Sequence, residues 1–596
     1  MHTLIADPEA LAAALPALAA SPLLALDTET TGLDPHTARL RLLTLSTPDH
    51  TYIVDTWKVG GWQGPILPLL ADPGRTIVGH NLRFDLGFLL AAGVEVDAAC
   101  FDTMLAAQLL EAGAAVEAGQ QRPSHALAAV ASRYAGLELS KAQPQSDWGR
   151  DALSPEQLRY AALDAAILHP MHARLSAEID AAGLGRAWAI ECGCLPALAA
   201  MAHAGMPFDR QRWLALSDAA GAEKYRAQQG LNRLLAAENV NVFGGMAVKL
   251  DSPAQVGALL AHLGIALPAL ESGQLDTSEA ALSVVADRHP AIPLLLAHRE
   301  AGKLAGTYGV AFVKDHLSAA TGRIHADYRQ LGAESGRMSC TRPNLQNIPR
   351  SREYRACFRA PEGRALVKCD YSAIELRIAA AIAPDPAMLA AFADGADLHK
   401  RTAAAVLGVP EGEVTKEQRQ LAKALNFGLI YGMGARTLVG HARAGYGVAL
   451  TMQEAEGHRA RFFRTYPGLA AWHLRTGDAC RPETRTLAGR RRLDTATFTQ
   501  RLNTPVQGSG ADGLKLALGR LWRHRAEAPT ARLVATVHDE IVAECPERDA
   551  PAVAAWLAGH MQAAMAEVVA GAVPIETEAT IARDWAGTPL REGGSL

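Results

Sequence analysis

The chain has 596 residues, 49% hydrophobic and 20% charged, which is too long for one ordinary core, so we expect at least two domains. Its eight cysteines show neither C-x-x-C pairs nor a dense framework; this argues against zinc ribbons and disulfide scaffolds and favours a reducing cytosol. The formal net charge of −4 does not exclude a nucleic-acid partner, because phosphates need only a local basic track. The short N-terminal apolar stretches predict no export or membrane segment.

The first predicted element with polar chemistry is a buried strand over residues 22–29. Side chains alternate along a strand, so Asp27 and Glu29 share a face at its end. Two adjacent carboxylates are costly unless a cation lies between them, and a divalent metal is the usual solution. A D-x-E pattern alone is weak, because most instances are surface turns.

Two predicted helices add further acidic groups. Asn81 is predicted as the N-cap of a helix with Asp85 in its first turns, and the alternative role for Asp85 is to complement the helix dipole. A capping box at Ser154 opens a later helix, and a spacing of four places Tyr160 and Asp164 on one face. With the strand pair, these residues predict a set of four carboxylates beside a phenol.

In this order, D-T-E, N-x-x-x-D and Y-x-x-x-D resemble the three exonuclease motifs of DnaQ-type proofreading domains, over about residues 20–185. The resemblance implies an α/β, ribonuclease H-like fold that trims a single-stranded 3′ end. It also implies two divalent metals held by the carboxylates, a water-orienting phenol and a DNA contact from the asparagine. The residues concerned are Asp27, Glu29, Asp85, Asp164, Tyr160 and Asn81. Ribonuclease D shares these motifs, so they leave the substrate open.

In the C-terminal part, a predicted strand over residues 365–369 delivers Asp370 to a strand-to-helix corner. Ser372 then reads as an N-cap, with Glu375 as its capping-box partner. Two β-rich runs at 532–537 and 541–544 predict a hairpin with an acidic tip.

Between these elements lie two cationic residues followed by two aromatic residues, each four positions after the one before. On a helix these four side chains form one slowly winding stripe. That order suits a triphosphate at one end and a base at the other. The four residues are Arg419, Lys423, Phe427 and Tyr431.

Two arginine-rich segments are candidate phosphate tracks, although a solvated charged face is the plainer interpretation of either alone. The first runs from Arg337 to Lys368, and the second from Arg481 to Arg501.

The segments D-Y-S-A-I-E-L-R, R-Q-L-A-K-A-L-N-F-G-L-I-Y-G and V-H-D-E closely resemble the three motifs of family A DNA polymerases. The family implies an α+β right hand, with residues 191–596 as the polymerase domain and residues 1–190 as the exonuclease. It places the thumb at about 195–315, the fingers at about 395–490, and the palm at about 316–394 and 495–596.

This resemblance assigns roles to individual residues. Asp370, Asp539 and the Tyr371 carbonyl would hold two Mg²⁺ ions, with Mn²⁺ as a substitute and with Glu540 supporting them. The incoming nucleotide would meet Arg419, Lys423, Phe427, Tyr431, Glu375 and His399, with Lys423 as the proton donor and Glu375 excluding a ribose 2′-hydroxyl. Contacts to DNA are expected from Arg337, Asn344, Gln346, Asn347, Asn503, Gln507 and His538.

The expected partners are primer–template DNA and deoxynucleoside triphosphates, with no membrane, for a monomer in the cytoplasm of a bacterium or of a virus's host. Whether a processivity factor binds is left open by the sequence. The chain is expected to leave no room for the 5′-nuclease domain of some relatives. Ala373 and Arg342 stand where relatives commonly have Gln and Asp, which puts fidelity or DNA contact in doubt rather than chemistry. The alternative is a ribonuclease D-like nuclease whose C-terminal region binds nucleic acid.

Overall fold

The computed structural model describes residues 1–114, 123–138, 146–238, 248–270, 272–478, 483–494 and 497–590. Arg481 and Cys480 lie outside these ranges. Within them, the strands in chain order are β1 (His2–Ile5), β2 (Leu23–Thr30), β3 (Leu40–Ser46), β4 (Thr51–Asp55), β5 (Thr76–Gly79), β6 (Ala99–Asp102), β7 (Met206–Pro207), β8 (Arg323–Ile324), β9 (Asp327–Arg329), β10 (Ser339–Thr341), β11 (Arg364–Tyr371), β12 (Glu483–Arg485), β13 (Arg491–Leu493), β14 (Arg532–Val537), β15 (Glu540–Pro546) and β16 (Thr577–Ala582).

The helices of the same ranges are α1 (Pro8–Ala20), α2 (Gln63–Ala71), α3 (Arg83–Ala91), α4 (Thr103–Leu110), α5 (Leu127–Ala135), α6 (Pro155–Ala166), α7 (Leu168–Ala181), α8 (Gly185–Ala204), α9 (Arg210–Ala237), α10 (Pro253–His262), α11 (Glu279–Val284), α12 (Ala291–Thr307), α13 (Val310–His316), α14 (Arg352–Arg355), α15 (Ile374–Ile382), α16 (Pro386–Ala393), α17 (Leu398–Leu407), α18 (Lys416–Leu429), α19 (Ala435–Tyr446), α20 (Met452–Thr465), α21 (Pro467–Asp478), α22 (Phe498–Arg523) and α23 (Ala550–Val568).

The N-terminal sheet has the order β1-β4-β3-β2-β5-β6 and carries helices on both faces. Strand β2 is central: it pairs antiparallel with β3 and parallel with β5. Its side chains alternate between two cores, with Leu24 and Leu26 in one and Ala25 in the other. A strand buried on both faces is apolar along its length, so its carboxylates can lie only where it ends.

Helix α8 joins the two parts of the chain. Leu195 and Ala199 pack in the N-terminal core, whereas Leu198 and Met201 pack in the C-terminal core. The helix is long and apolar enough to span a membrane by length and composition, with a mean hydropathy of 1.2, but 56% of that segment is buried inside the protein. It is therefore a shared core helix, and the domain boundary expected at 190 falls within it.

The C-terminal part is built on an antiparallel sheet of order β14-β15-β11-β16. Helix α23 packs on β11 and β16, and α22 packs on α23. Long helices α9 and α12 pair in a separate cluster around Leu231, Leu259 and Leu295. Helices α17 to α20 pack on one another before the chain returns to the sheet. The predicted order, an α/β domain followed by an α+β domain, is confirmed.

Two candidate active sites

The first site lies at the end of β2, as the alternation of side chains predicts. Asp27 and Glu29 come from this strand, Asp85 from the first turn of α3, and Asp164 from α6. Thr28 Oγ1 donates a hydrogen bond of 2.6 Å to Asp85 Oδ1 and so ties the strand to the helix. The capping box of Ser154 and Gln157 is present at the start of α6.

Burial raises the pKa of all four carboxyl groups, and repulsion from the others adds to this at Asp27 and Glu29. Burial, followed by the charges of Glu29, Asp85 and Asp164, raises the pKa of Asp27 far above its usual range. Burial, followed by the charges of Asp164 and Asp85, raises the pKa of Glu29 to about 9. Burial raises the pKa of Asp85 to about 7 and that of Asp164 to about 6. So many acidic groups in one buried place fit a divalent cation, whose preferred ligands are carboxylate oxygens.

Tyr160 lies one helical turn before Asp164 and hydrogen-bonds to its carboxylate. Burial, then the negative charges of Asp164, Glu29 and Asp27, raise the pKa of the Tyr160 phenol. The phenol therefore stays protonated at neutral pH and offers a hydroxyl among the four carboxylates.

The prediction that Asn81 caps α3 is wrong. The helix starts two residues later, and Asn81 has a φ of 57° in the left-handed region. The sequence reasoning missed Asp102, a buried carboxylate that accepts hydrogen bonds from the backbone N–H groups of Asn81 at 3.1 Å and Leu82 at 2.8 Å. Asp102 also caps α4, and its place between a strand and a helix is a usable sequence signal.

The second site lies where β11 ends beside the β14–β15 hairpin. Asp370 pairs with Glu540 across the sheet, and Asp539 occupies the turn, as the sequence predicts. The carboxyls of Asp370 and Asp539 hydrogen-bond to each other; burial, then the charges of Asp539 and Glu540, raise the pKa of Asp370 to about 7. This pair also fits a divalent cation. Glu540 is buried, and the Trp585 indole donates to it at 2.6 Å.

The predicted capping box at Ser372 is wrong. Helix α15 begins at Ile374, its N-cap is Ala373 with a φ of 51°, and no side chain caps it. Glu375 instead accepts a 2.6 Å hydrogen bond from Arg337 and a second one from the Tyr431 hydroxyl. Glu375 is thus held by partners from two other segments.

The predicted stripe is present on α18. Arg419, Lys423 and Phe427 are partly exposed, whereas most of their neighbours in the second half of the helix are buried. Tyr431 lies beyond the helix end, where Gly432 takes a φ of 77°. Arg419 forms a 2.7 Å ion pair with Asp397 at the start of α17.

His399 packs next to this stripe, with its ring centroid 5.7 Å from that of Phe427. The Asn426 amide nitrogen lies 2.8 Å from its Nδ1, which makes Nδ1 the acceptor and leaves the proton on Nε2. Burial, together with the charges of Arg419 and Lys423, lowers the pKa of His399 to about 4. The imidazole is therefore a neutral donor at neutral pH.

The residues predicted to touch DNA fall into two groups. Asn503 and Gln507 lie one turn apart on α22, and Gln507 hydrogen-bonds to Tyr431, so both border the second site. His538 is exposed in the β14–β15 turn with a φ of 60°. The other group, Asn344, Gln346 and Asn347, forms a 3₁₀ turn in which the Asn344 side chain accepts from the Gln346 N–H and the Gln346 side chain donates to the Met338 carbonyl.

The first arginine track is only partly available to phosphates. Arg350 and Arg352 are exposed, but Arg364 pairs with Glu544 and Arg337 pairs with Glu375. Arg342 binds Asp327 at 2.9 Å, and Asp327 also binds Arg83 of α3. Arg342 therefore joins an ion-pair chain between the two domains.

For the second track, the prediction that Arg490 holds phosphate is wrong. Its side chain is 2% exposed and pairs with Glu191 of α8 and, at 2.7 Å, with Asp512 of α22. The buried Lys515 amino group lies 2.6 Å from the same Glu191 carboxylate. Burial acts to raise the pKa of Glu191, but the charges of Lys515 and Arg490 outweigh it and hold the pKa below its usual range.

We expect Glu191→Ala to lower the free energy of unfolding by about 3–5 kcal/mol, because it leaves two buried cations without their shared carboxylate. The matched control is Glu223→Ala, which removes an exposed pair with Arg226 and should cost no more than about 0.5 kcal/mol. Urea unfolding followed by tryptophan fluorescence measures both. Equal stability of the two variants would contradict the structural role of this cluster.

Comparisons with known proteins bear on both sites. The family model for DNA polymerase family A matches residues 222–587, and the model for 3′-5′ exonuclease matches residues 3–180. A protein named DNA polymerase I from Aquifex aeolicus is 35% identical over 97% of this chain and 98% of its own length. Another from Pseudomonas aeruginosa is 32% identical over 88% of this chain, which spans 60% of that relative.

A solved structure described as the POL domain of Pol1 from M. smegmatis, in complex with DNA primer-template and dNTP, has a TM-score of 0.82. Its sequence is 26% identical to this one, and the match covers 99% of this chain and 100% of that one.

Proposed function

The chain belongs to DNA polymerase family A and joins a 3′-5′ exonuclease domain to a polymerase domain, and on that basis we propose how its residues divide the two reactions. Extension of a primer takes place at Asp370 and Asp539, and removal of a mispaired 3′ nucleotide at the carboxylates around Asp27. The observation that carries this division is the presence of two separate acidic clusters on two different sheets. Extension and digestion, measured on one substrate, test it.

Enzymes of these families depend on metal ions, and we propose Mg²⁺ at both sites, with Mn²⁺ as a substitute. Asp370, Asp539 and the Tyr371 carbonyl would hold the ions of the polymerase site. Asp27, Glu29, Asp85 and Asp164 would hold those of the exonuclease. When bound, such ions activate the attacking oxygen and stabilise the leaving one.

In the polymerase site, the partly exposed stripe receives the deoxynucleoside triphosphate. Arg419 exchanges its contact with Asp397 for the phosphates, a bidentate guanidinium interaction. His399 donates from Nε2 as a neutral hydrogen-bond donor, and Lys423 gives a proton to the leaving pyrophosphate. Phe427 packs on the sugar and base.

Tyr431 closes the templating side of the same site, together with its hydrogen-bond partner Glu375. Arg337, Asn503, Gln507 and His538 contact the primer–template, where minor-groove acceptors shared by all base pairs allow sequence-independent checking of fit. Asn344, Gln346 and Asn347 contact DNA as well, through a turn already shaped by its own hydrogen bonds. Glu540 lies beside the metal ligands and supports them, and its hydrogen bond from the Trp585 indole holds its carboxylate in place.

In the exonuclease site, Tyr160 keeps its proton and orients the attacking water by a hydrogen bond. The Asp164 carboxylate fixes the direction of that hydroxyl. The single-stranded 3′ end enters past Asn81, whose backbone N–H is fixed by Asp102.

We expect Glu375→Ala to raise ribonucleotide incorporation relative to deoxynucleotide incorporation by about 10–100-fold, because the side chain that fills the 2′ position is removed. Single-nucleotide insertion kinetics with matched ribo- and deoxynucleotides measure the ratio. Glu375→Gln is the matched control, since it keeps the volume and should keep the exclusion. An unchanged ratio in the alanine variant would show that Glu375 only orders Arg337 and Tyr431.

The ribonuclease D-like alternative is not favoured, because the polymerase family model matches residues 222–587. We further propose residues 1–190 as the exonuclease domain and 191–596 as the polymerase domain, with the thumb at about 195–315. The fingers then span about 395–490, and the palm about 316–394 and 495–596. The enzyme acts as a monomer in the cytoplasm, and the partner that gives it processivity, if one binds, is a separate protein.

A further inference from the structure

A group of three ligand-bearing side chains lies outside both sets of catalytic carboxylates, and two of its members precede β14, whereas Asp539 follows that strand. His524 ends α22, Glu527 lies in the following 3₁₀ turn (Arg525–Glu527), and His560 lies on α23. One ligand atom from each lies within 4.8 Å of the other two. Three elements therefore converge on one point of the surface.

Glu527 bridges the two imidazoles. Its Oε1 lies 2.9 Å from His524 Nδ1, and its Oε2 lies 3.1 Å from His560 Nε2. The two imidazole centroids are 4.8 Å apart. Zinc–nitrogen and zinc–oxygen bonds of about 2.0–2.2 Å at tetrahedral angles need donor atoms ~3.3 Å apart. The two carboxylate–imidazole separations are close to that spacing, and the donor atoms of the two imidazoles lie within 4.8 Å of each other.

The scaffold around the group is rigid on one side and open on the other. The Trp556 indole donates to the His524 carbonyl at 3.3 Å, and its ring lies 6.0 Å from that of His560. His560 is largely buried, whereas His524 and Glu527 are about half exposed. The packing of α22 against α23 thus presets the imidazoles, while solvent keeps access to a fourth position.

We propose that His524, Glu527 and His560 bind one zinc ion, with water in the fourth position. Two imidazole nitrogens and one carboxylate oxygen form a donor set that zinc takes readily, whereas Mg²⁺ prefers oxygen alone. This ion is distinct from those of the two reaction centres, where the predicted ligands are all oxygen atoms.

The zinc ion fixes the turn that contacts the exonuclease domain. Arg525, within this turn, pairs with Glu95 and Asp97 at 2.8 Å each. These two carboxylates also offset the positive charge that Arg525 would otherwise place beside the ion. Zinc at this point therefore steadies a junction between the two domains.

Equilibrium dialysis of the full chain against zinc, with Mg²⁺ in large excess, tests the proposal. We expect the double variant His524→Ala/His560→Ala to bind one zinc ion fewer than the wild type. Glu527→Gln should lower the affinity for that zinc ion by about 10–100-fold or more. A loss of this size follows from disturbing even an outer partner of a zinc ligand. The matched control is His289→Ala, which removes an imidazole 3.3 Å from the Glu238 carboxylate and should bind as much zinc as the wild type. Equal zinc content in the double variant and the wild type would overturn the proposal.

Diffraction from zinc-soaked crystals of the full chain gives a second measurement that does not depend on a variant folding. An anomalous peak at the zinc edge among His524 Nδ1, His560 Nε2 and the Glu527 carboxylate supports the site. Peaks confined to the carboxylate clusters would contradict it.

Discussion

Asp370→Asn lowers the rate of primer extension on the order of 10³-fold, the cost of losing one preorganised electrostatic contact to the reaction centre, and leaves 3′ digestion close to wild type. Asparagine keeps the shape of the side chain but removes the charge that a divalent cation needs. Steady-state extension of a matched primer–template, with digestion of a single strand measured in parallel, gives both rates.

Loss of the fold cannot account for this result. Burial and the charges of Asp539 and Glu540 raise the pKa of Asp370 to about 7, so the ionised group opposes folding. In the metal-free protein, a neutral residue at this position should therefore keep or raise the midpoint temperature of thermal unfolding. Asp394→Asn, which alters an exposed pair with Arg401, is the matched control and should retain both activities. Simultaneous loss of extension and digestion in a folded Asp370→Asn protein would contradict separate sites.

Asp27→Asn has the reverse effect: digestion falls on the order of 10³-fold and extension of a matched primer continues. Asp27 is repelled by Glu29, Asp85 and Asp164, so this change also relieves strain between charges in the metal-free protein. Release of labelled nucleotide from a single-stranded 3′ end measures the loss. A second expected result is slower removal of a mismatched primer end before extension.

The control for this variant is Asp72→Asn, whose carboxylate is exposed and 3.7 Å from Arg75. It should digest at the wild-type rate. If Asp27→Asn digested as fast as this control, the carboxylate cluster at the end of β2 would not be the exonuclease centre.

The sequence predicts the positions of the acidic groups because short-range rules decide them. Alternation along β2 places Asp27 beside Glu29, and the hairpin pattern places Asp539 next to the end of β11. The motifs also predicted the family, which the family models confirm. The individual roles of these residues stay predictions until variants are measured.

Local rules fail where distant residues set the backbone. Asn81 looks like an N-cap, but Asp102, 21 residues later, holds its N–H and the chain turns through positive φ. Glu375 looks like a capping partner, but Arg337 and Tyr431, 38 and 56 positions away, hold its carboxylate. Neither contact can be read from neighbours in the sequence.

The second arginine segment fails for a related reason. Composition shows a positive cluster but not its partners, and Arg490 meets Glu191 from 299 positions earlier in the chain. An arginine that is buried and paired with a carboxylate cannot also bind a phosphate. The sequence alone does not distinguish such an arginine from one that contacts DNA.

One gel assay tests most directly whether the chain both extends a primer and removes a mismatched 3′ nucleotide. A 5′-labelled primer with a mismatched 3′ nucleotide, annealed to its template, is incubated with the wild-type protein and Mg²⁺, with and without deoxynucleoside triphosphates. We expect shortening without nucleotides and full-length product with them. Shortening in both lanes would contradict polymerase activity and indicate a nuclease that cannot extend a primer.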